Sequence, residues 1–357
     1  MALYPEAPDD RRFSAGDLAS IATSIFLGAG MNETDAGIVA ASLVAADRRG
    51  VHSHGLLRTE DYVKKLSDEG VDPTARPNVL SRKGGAIRID GANAMGQVAG
   101  EFAMRAAIDA ARETGVAFAA VGASNHCGAL DYYTLMAADA GMIGIAGTNA
   151  LPTMAPWGDI EKIVGLNPIS VAMPAAGRPP VAIDIALGQT AHGQIRVYAQ
   201  KGAPLPEGWA LEAEGKATTD AQAALDRLIQ PIGAFKGIGL GMMVGLLSTL
   251  LSDAGYGVES GNMADGAYAG KDGQFYMAID IAAFTPLADF ETRLSGIVET
   301  FEGSAVAPGA EAVYAPGSLE NAIAADYDER GVRLAAETVA GMQRAARRVG
   351  VDDTLLR

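Results

Sequence analysis

Gly233-Ala234-Phe235-Lys236-Gly237-Ile238-Gly239-Leu240-Gly241-Met242-Met243-Val244-Gly245 nearly spells a dinucleotide fingerprint, and the way it fails decides the fold class. A Rossmann unit needs G-x-G-x-x-G directly after a β-strand and at the start of a helix. The glycines there make the tight turn and let the backbone approach the diphosphate. Here glycines 239, 241 and 245 are spaced G-x-G-x-x-x-G, and no strand of a βαβ unit leads into them. A Rossmann site is rejected. The glycines are read as seats for close helix packing, with Lys236 placed to meet a charged ligand group. The apolar run that follows, 237–251, is shorter than the roughly 20 residues a bilayer span requires, so a buried helix is expected.

Outward from this stretch, short apolar runs alternate with helical patterns. Val116–Val121, Met142–Ala146, Ile169–Met173, Val181–Ile185 and Phe275–Ile281 read as strands of a mixed α/β segment. Residues 202–219, with Pro204 and Pro206, read as a surface loop. Both ends of the chain read as helical. Ser14 with Asp17 and Asn32 with Asp35 mark two N-termini. A third helix is expected from near Ser53, carrying Leu57, Tyr62, Val63 and Leu66, and a fourth from about Gly100 to Thr114. Strands are expected to stop after Asp280, followed by helices at 287–302, 319–330 and 334–348. The implied plan has residues 1–115 and 311–357 packing as a helical domain around an α/β domain at 116–310.

The 357 residues carry a formal charge of −15, with 49% hydrophobic and 20% charged residues. That balance describes an ordinary globular enzyme and argues against a disordered chain. The negative field disfavours nucleic-acid partners, and an anionic substrate would need a local cluster of cations. Cys127 is the only cysteine, so no intrachain disulfide can form. No basic, apolar leader is recognisable in Met1–Arg12, and the expected location is the cytoplasm.

Only four histidines occur: His52, His54, His126 and His192. All lie in segments rich in Gly and small polar residues, not on apolar helical stripes. In Asp47-Arg48-Arg49-Gly50-Val51-His52-Ser53-His54-Gly55-Leu56-Leu57-Arg58, a helix from Ser53 would set His54 and Arg58 at i and i+4. Such a pair would join a group titrating near neutrality to a guanidinium able to grip a carboxylate. Alternatively, Arg58 could pair with Glu60 or Asp61 at the surface while His54 only caps the helix. Ser124-Asn125-His126-Cys127-Gly128-Ala129 follows a strand and precedes a helix, a common ligand site because free N–H groups point outward; His126 could instead be a plain cap. Gly147-Thr148-Asn149 lies at a strand end. Asp184, at the end of Val181–Ile185, could accept from ribose hydroxyls or simply terminate its strand. His52-x-His54 is compatible with two metal ligands, but no Cys pair or His-Glu-x-x-His accompanies it, so no metal site is expected.

Taken together and in order, these segments resemble the malate/L-lactate dehydrogenase family. Asp47 to Arg58 is similar to its D-x-R-G-x-x-S-H-G-x-x-R signature and Ser124 to Gly128 to its S-N-H-x-G motif. Thr148-Asn149, Leu166-Asn167-Pro168, Asp184-Ile185-Ala186, Phe235-Lys236-Gly237 and Ala315-Pro316-Gly317 fall in the family's order. The resemblance implies a non-Rossmann NAD(P)-binding α/β fold with a largely antiparallel mixed sheet, flanked by N- and C-terminal helices that serve dimerisation. It implies a homodimer with the site near the interface, NAD or NADP as cofactor, and a small 2-oxo or 2-hydroxy carboxylate as substrate. A cyclic 2-imino carboxylate is the alternative within the family. A metal-dependent hydrolase or lyase, or a non-catalytic binding homologue, is the alternative outside it. By motif match His54 would be the proton donor, supported by Ser53. Arg58 would hold the carboxylate, and His126 would line the nicotinamide. Asn125, Thr148, Asp184, Ile185, Ala186, Lys236, Pro316 and Gly317 would contact the cofactor. Two departures stand out: Ser318 follows Gly317 where the family usually has Glu, and Gln194 stands where Lys or Asp is common.

Overall fold

The computed structural model describes residues 9–356 apart from 69, 213, 226 and 262–269. Its strands are β1 (Arg11–Phe13), β2 (Asn78–Lys83), β3 (Ala86–Asp90), β4 (Val116–Ser124), β5 (Met142–Thr148), β6 (Pro152–Met154), β7 (Val164–Gly165), β8 (Ile169–Met173), β9 (Val181–Ile185), β10 (Ala210–Leu211), β11 (Ala217–Thr218), β12 (Leu228–Ile229), β13 (Asp272–Asp280) and β14 (Val332–Leu334). The helices are α1 (Ala15–Gly28), α2 (Glu33–Arg48), α3 (Thr59–Ser67), α4 (Gly96–Thr114), α5 (Asp131–Asp139), α6 (His192–Lys201), α7 (Phe235–Thr249), α8 (Leu287–Glu302), α9 (Ser318–Arg330) and α10 (Ala336–Arg348).

A seven-stranded sheet runs β2-β3-β4-β13-β5-β8-β9. The β3–β4 pair is parallel, and each other neighbouring pair in it is antiparallel. Because side chains alternate across a strand, β13 serves two cores. Tyr276 and Ala278 meet the alanine-rich face of α4 and Tyr133 of α5, whereas Phe275 packs with Val244 of α7 and Leu187. A separate core joins the two ends of the chain: Phe26, Leu43 and Tyr62 of α1–α3 bury against Met342 and Ala346 of α10 and Val332 of β14. Among the described residues no helix is long and apolar enough to cross a membrane. Helix α7 packs on the sheet with Gly245 beside Tyr256 and Asn167, but it is not the buried helix expected, because only one face meets the sheet and Leu240, Met243 and Leu247 are exposed.

The expected α/β class is found, and Ile169–Met173, Val181–Ile185 and Leu287–Glu302 have the expected bounds. Ser14 and Asn32 cap α1 and α2 through Asp17 N and Asp35 N. Four elements differ. The third helix starts at Thr59, because Gly55 is extended (φ −91°, ψ −151°) and splits residues 52–58 into two 3-10 turns. The fourth begins at Gly96, where a tertiary contact overrides the weak helix propensity of glycine: a Cβ there would sit 2.2 Å from Asn125 O. The sheet reaches into the N-terminal segment through β2 and β3, and β2 shows no apolar alternation because it is exposed throughout. Strands also continue past Asp280: β14 pairs with β1, tying the chain's ends together. Within 202–219 the loop carries short strands β10 and β11.

Candidate active site

The segment after α2 is organised by one buried carboxylate. Asp47 Oδ1 bonds His52 Nδ1 at 2.6 Å, and Asp47 Oδ2 accepts from Leu56 N at 2.6 Å. Burial raises the Asp47 pKa, and the bond from His52 works against that. Gly55 is required here, since a Cβ would fall 2.3 Å from the Asp47 carboxyl. His52 is thereby held by Asp47, and His54 and Arg58 occupy successive 3-10 turns instead of one helical face. Ser53 Oγ lies 2.9 Å from His54 Nδ1, and Arg58 Nε donates to Ser53 O at 2.8 Å. The surface pairing of Arg58 is a long contact, 3.3 Å to Asp61. The guanidinium is only half-buried and belongs to the His54 environment.

The second wall is the loop between β4 and α5. His126 stacks on His54, with ring centroids 5.5 Å apart and planes 16° apart. His126 Nδ1 is met by Tyr62 Oη at 2.7 Å and by the Gly128 N–H at 3.3 Å. Gln97 Nε2 donates to Tyr62 Oη at 3.0 Å. Neither imidazole has a partner at Nε2 among the described residues. Burial, assisted by Arg58, lowers the His54 pKa to about 4. His126 lies well below its ordinary value through burial and the neighbouring His54, Arg58 and Lys65. Both rings are neutral in this state. Cys127 beside them is buried, and its thiol is pushed up to about 12.

Five residues beyond His126, the same loop meets β9. The Asp131 N–H, at the start of α5, donates to Asp184 Oδ2 at 2.9 Å. Packing around Asp184 and the adjacent Asp131 carboxylate raise its pKa to about 7. Earlier along β9, Gly317 abuts the strand: it has φ +84°, and a Cβ would lie 2.9 Å from Ala182 O. This residue caps α9. Later, Ile232 N bonds Leu187 O, just ahead of α7 and Lys236. The strand and its extension therefore run past the N-termini of α9, α5 and α7. Helix N-termini together with a lysine are the donor set a dinucleotide diphosphate needs, and a carboxylate beside them suits a ribose. On this ground the residues present fit a nicotinamide dinucleotide.

The structure thus gathers Ser53, His54, Arg58 and His126 at one place, and sets Asp184, Ile185 and Ala186 on β9 and its extension with Gly317 packed on Ala182; Pro316 precedes that contact, and Lys236 follows the Ile232–Leu187 bond by four residues. Asn125 and Thr148 are different. Asn125 Nδ2 donates to Asn93 Oδ1 and Ala94 O while its Oδ1 accepts from Gly270 N; Thr148 Oγ1 donates to Asn149 O and Gly273 O. Both side chains brace backbone around the site. At the departure after Gly317, Ser318 Oγ donates to Glu302 Oε1, so a carboxylate reaches this loop from α8 instead. Sequence reasoning missed Tyr62, read as an apolar helix residue, and Gln97, placed before the fourth helix. The available signal was a lone Gln among Gly, Val and Ala.

Known proteins resemble this chain over most of its length. The family model described as malate/L-lactate dehydrogenase matches residues 13–343. The malate dehydrogenase of Pyrococcus abyssi is 35% identical over 95% of this chain and 95% of its own. The ureidoglycolate dehydrogenase (NAD(+)) of Escherichia coli O157:H7 is 34% identical over 81% of this chain and 82% of its own. The solved malate dehydrogenase of Pyrococcus horikoshii OT3 superposes with a TM-score of 0.90 at 32% identity, over 99% of each chain. The chain is an oxidoreductase that belongs to the malate/L-lactate dehydrogenase family.

Proposed function

We propose that this oxidoreductase transfers hydride between NAD(P) and C2 of a small 2-oxo or 2-hydroxy carboxylate. The observation that carries the proposal is the stacked His54–His126 pair, with both Nε2 positions unpartnered among the described residues, beside Arg58. Arg58 binds the carboxylate, whose planar geometry its guanidinium matches. Lys236, the α7 and α9 N-termini, Asp184, Ile185, Ala186, Pro316 and Gly317 hold the dinucleotide, and Asn125 and Thr148 shape its surroundings. Bound there, the nicotinamide supplies the hydride in reduction and accepts it in oxidation.

His54 Nε2 exchanges the proton on the C2 oxygen. In oxidation, neutral His54 accepts the hydroxyl proton at Nε2 while Nδ1–H donates to Ser53 Oγ. In reduction, the imidazolium returns that proton to the oxygen. Ser53 suits both directions because a hydroxyl donates or accepts. A substrate carboxylate on Arg58 offsets the cation that, after burial, helps hold His54 neutral, so substrate binding favours protonation of His54.

Residues 1–115 and 311–357 supply the helical, dimerising unit and 116–310 the cofactor unit, with β2, β3 and α4 of the first span completing the sheet and core of the second. A cytoplasmic homodimer is the expected form. The exposed apolar stripe of Leu240, Met243, Leu247, Leu250 and Leu251, on and just beyond α7 in the cofactor unit, offers a further face for the second copy, and sedimentation analysis tests the dimer.

The experiment is absorbance of NADH and NADPH, followed separately with pyruvate, oxaloacetate, a 2,3-diketo sugar acid and a cyclic 2-imino carboxylate. Oxidation with any 2-oxo acid supports the proposal. Turnover of the imine alone replaces the substrate class, and silence across the panel, with no cofactor binding, overturns it.

A further inference from the structure

Two neutral histidines at one site raise the question of which exchanges a proton and which only donates a hydrogen bond. The surroundings of His126 answer it. Gln97 is fully buried and lends its Nε2 donor to Tyr62 Oη. The Tyr62 oxygen thus receives one hydrogen and lies 2.7 Å from His126 Nδ1, with its own hydrogen left to give. The Gly128 N–H, which can only donate, meets the same nitrogen. The Gly128 N–H makes Nδ1 an acceptor, the Tyr62 hydroxyl that already accepts from Gln97 then donates to the same atom, and a neutral imidazole so held carries its hydrogen on Nε2. His54 has no such constraint, because Ser53 Oγ can reverse its role.

Resting on the reductase proposal above, we propose that Tyr62 and Gln97 are positioning residues. They lock His126 as a fixed Nε2–H donor to an oxygen of the bound substrate, so that of the two stacked rings only His54 exchanges a proton. The C2 oxygen, negative as hydride arrives in reduction, is thereby met by one standing donor and one proton source. A fixed dipole needs no reorganisation when that charge develops.

The test begins with ¹⁵N-edited imidazole spectra of the substrate-free protein at neutral pH, with His126 assigned by loss of its signals in His126→Gln. Wild type should show an acceptor Nδ1 and a protonated Nε2. Tyr62→Phe keeps the ring and removes the donor. It should mix the two tautomers and lower kcat about 10- to 100-fold, the range of one lost hydrogen bond to a charged oxygen, with KM changed less than twofold. It should also add a second ionisation to the pH profile. Gln97→Met, which leaves Tyr62 in place, should produce the same spectral change in smaller degree and guards against a folding defect in the first variant. A wild-type spectrum with hydrogen on Nδ1, or a Tyr62→Phe protein with both spectrum and kcat unchanged, overturns the proposal. The expected spectra in a protein inactive toward every 2-oxo acid would uphold the lock on His126 and strike the reductase reading instead.

Discussion

Arg49 and Asp131, from the ends of two helices in different parts of the chain, form a buried ion pair at 2.7 Å that ties the His54 segment to β9. Arg49 also donates to Asn321 Oδ1 of α9 at 2.8 Å, while the Asp131 N–H holds Asp184. One guanidinium thus fixes α5 and α9 against the loop that carries the proposed proton donor. Removing it by Arg49→Met leaves the Asp131 and Asp184 carboxylates close together without their cation. A loss of about 3–5 kcal/mol is expected, read as a lower urea midpoint, with cofactor affinity falling in parallel. A midpoint within experimental error of wild type would contradict the network.

Gly55 offers a sharper probe of the loop. In Gly55→Ala the new methyl overlaps the Asp47 carboxyl, so the bonds to His52 and Leu56 must stretch. The expected cost is about 1–3 kcal/mol, with a larger proportional fall in kcat because Ser53 and His54 lie on the displaced turn. Circular dichroism melting alongside steady-state kinetics separates the two effects. Unaltered kinetics would mean the turn tolerates the shift.

These devices show what the sequence disclosed and what it withheld. The strands Ile169–Met173 and Val181–Ile185 were legible because their apolar runs end at turn residues. The His54 and His126 segments stood out as polar, Gly-flanked runs beside helices and strands, and Asp184 as the end of an apolar strand, whereas the expected i, i+4 pairing of His54 and Arg58 on one helix gives way to two 3-10 turns. The split of 52–58 into two 3-10 turns was hidden, because it depends on Asp47 Oδ2 taking the Leu56 N–H, a tertiary bond with no periodic signature. The β1–β14 pair was hidden for a related reason: each strand spans three residues and is completed only by a partner at the other end of the chain. Tyr62 looked like an ordinary apolar helix residue and Gln97 fell before the expected fourth helix; their chemistry appears only when α3 and α4 meet.

Arg58→Ala should raise KM for the carboxylate substrate, losing roughly 2–4 kcal/mol of binding, and lower kcat where misplaced substrate reacts poorly. Arg58→Lys retains the charge but not the fork and should recover only part of the loss. Equal KM in all three proteins would remove Arg58 from the carboxylate site.

The neutral state of His54 has a cost in acid. Its folded pKa, about 4, lies below the unfolded value near 6.5. The unfolded chain therefore binds the proton first, and stability is lost as pH falls from 6.5 toward 4, by at most about 3 kcal/mol from this residue. His54→Asn should flatten that part of the stability profile in urea titrations; an unchanged slope would contradict the assignment.

The most direct test is the pH dependence of kcat/KM in both directions, which reports the ionisation of the free enzyme. Oxidation of the 2-hydroxy acid requires neutral His54, so kcat/KM should stay flat from pH 7 down to about 5 and fall only near 4. Reduction requires the protonated ring and should fall about tenfold per unit as pH rises from 5 to 8. In His54→Asn both profiles should lose this ionisation, with kcat down about 10²–10⁴. Wild-type rates and profiles in that variant would contradict His54 as the group that exchanges the proton.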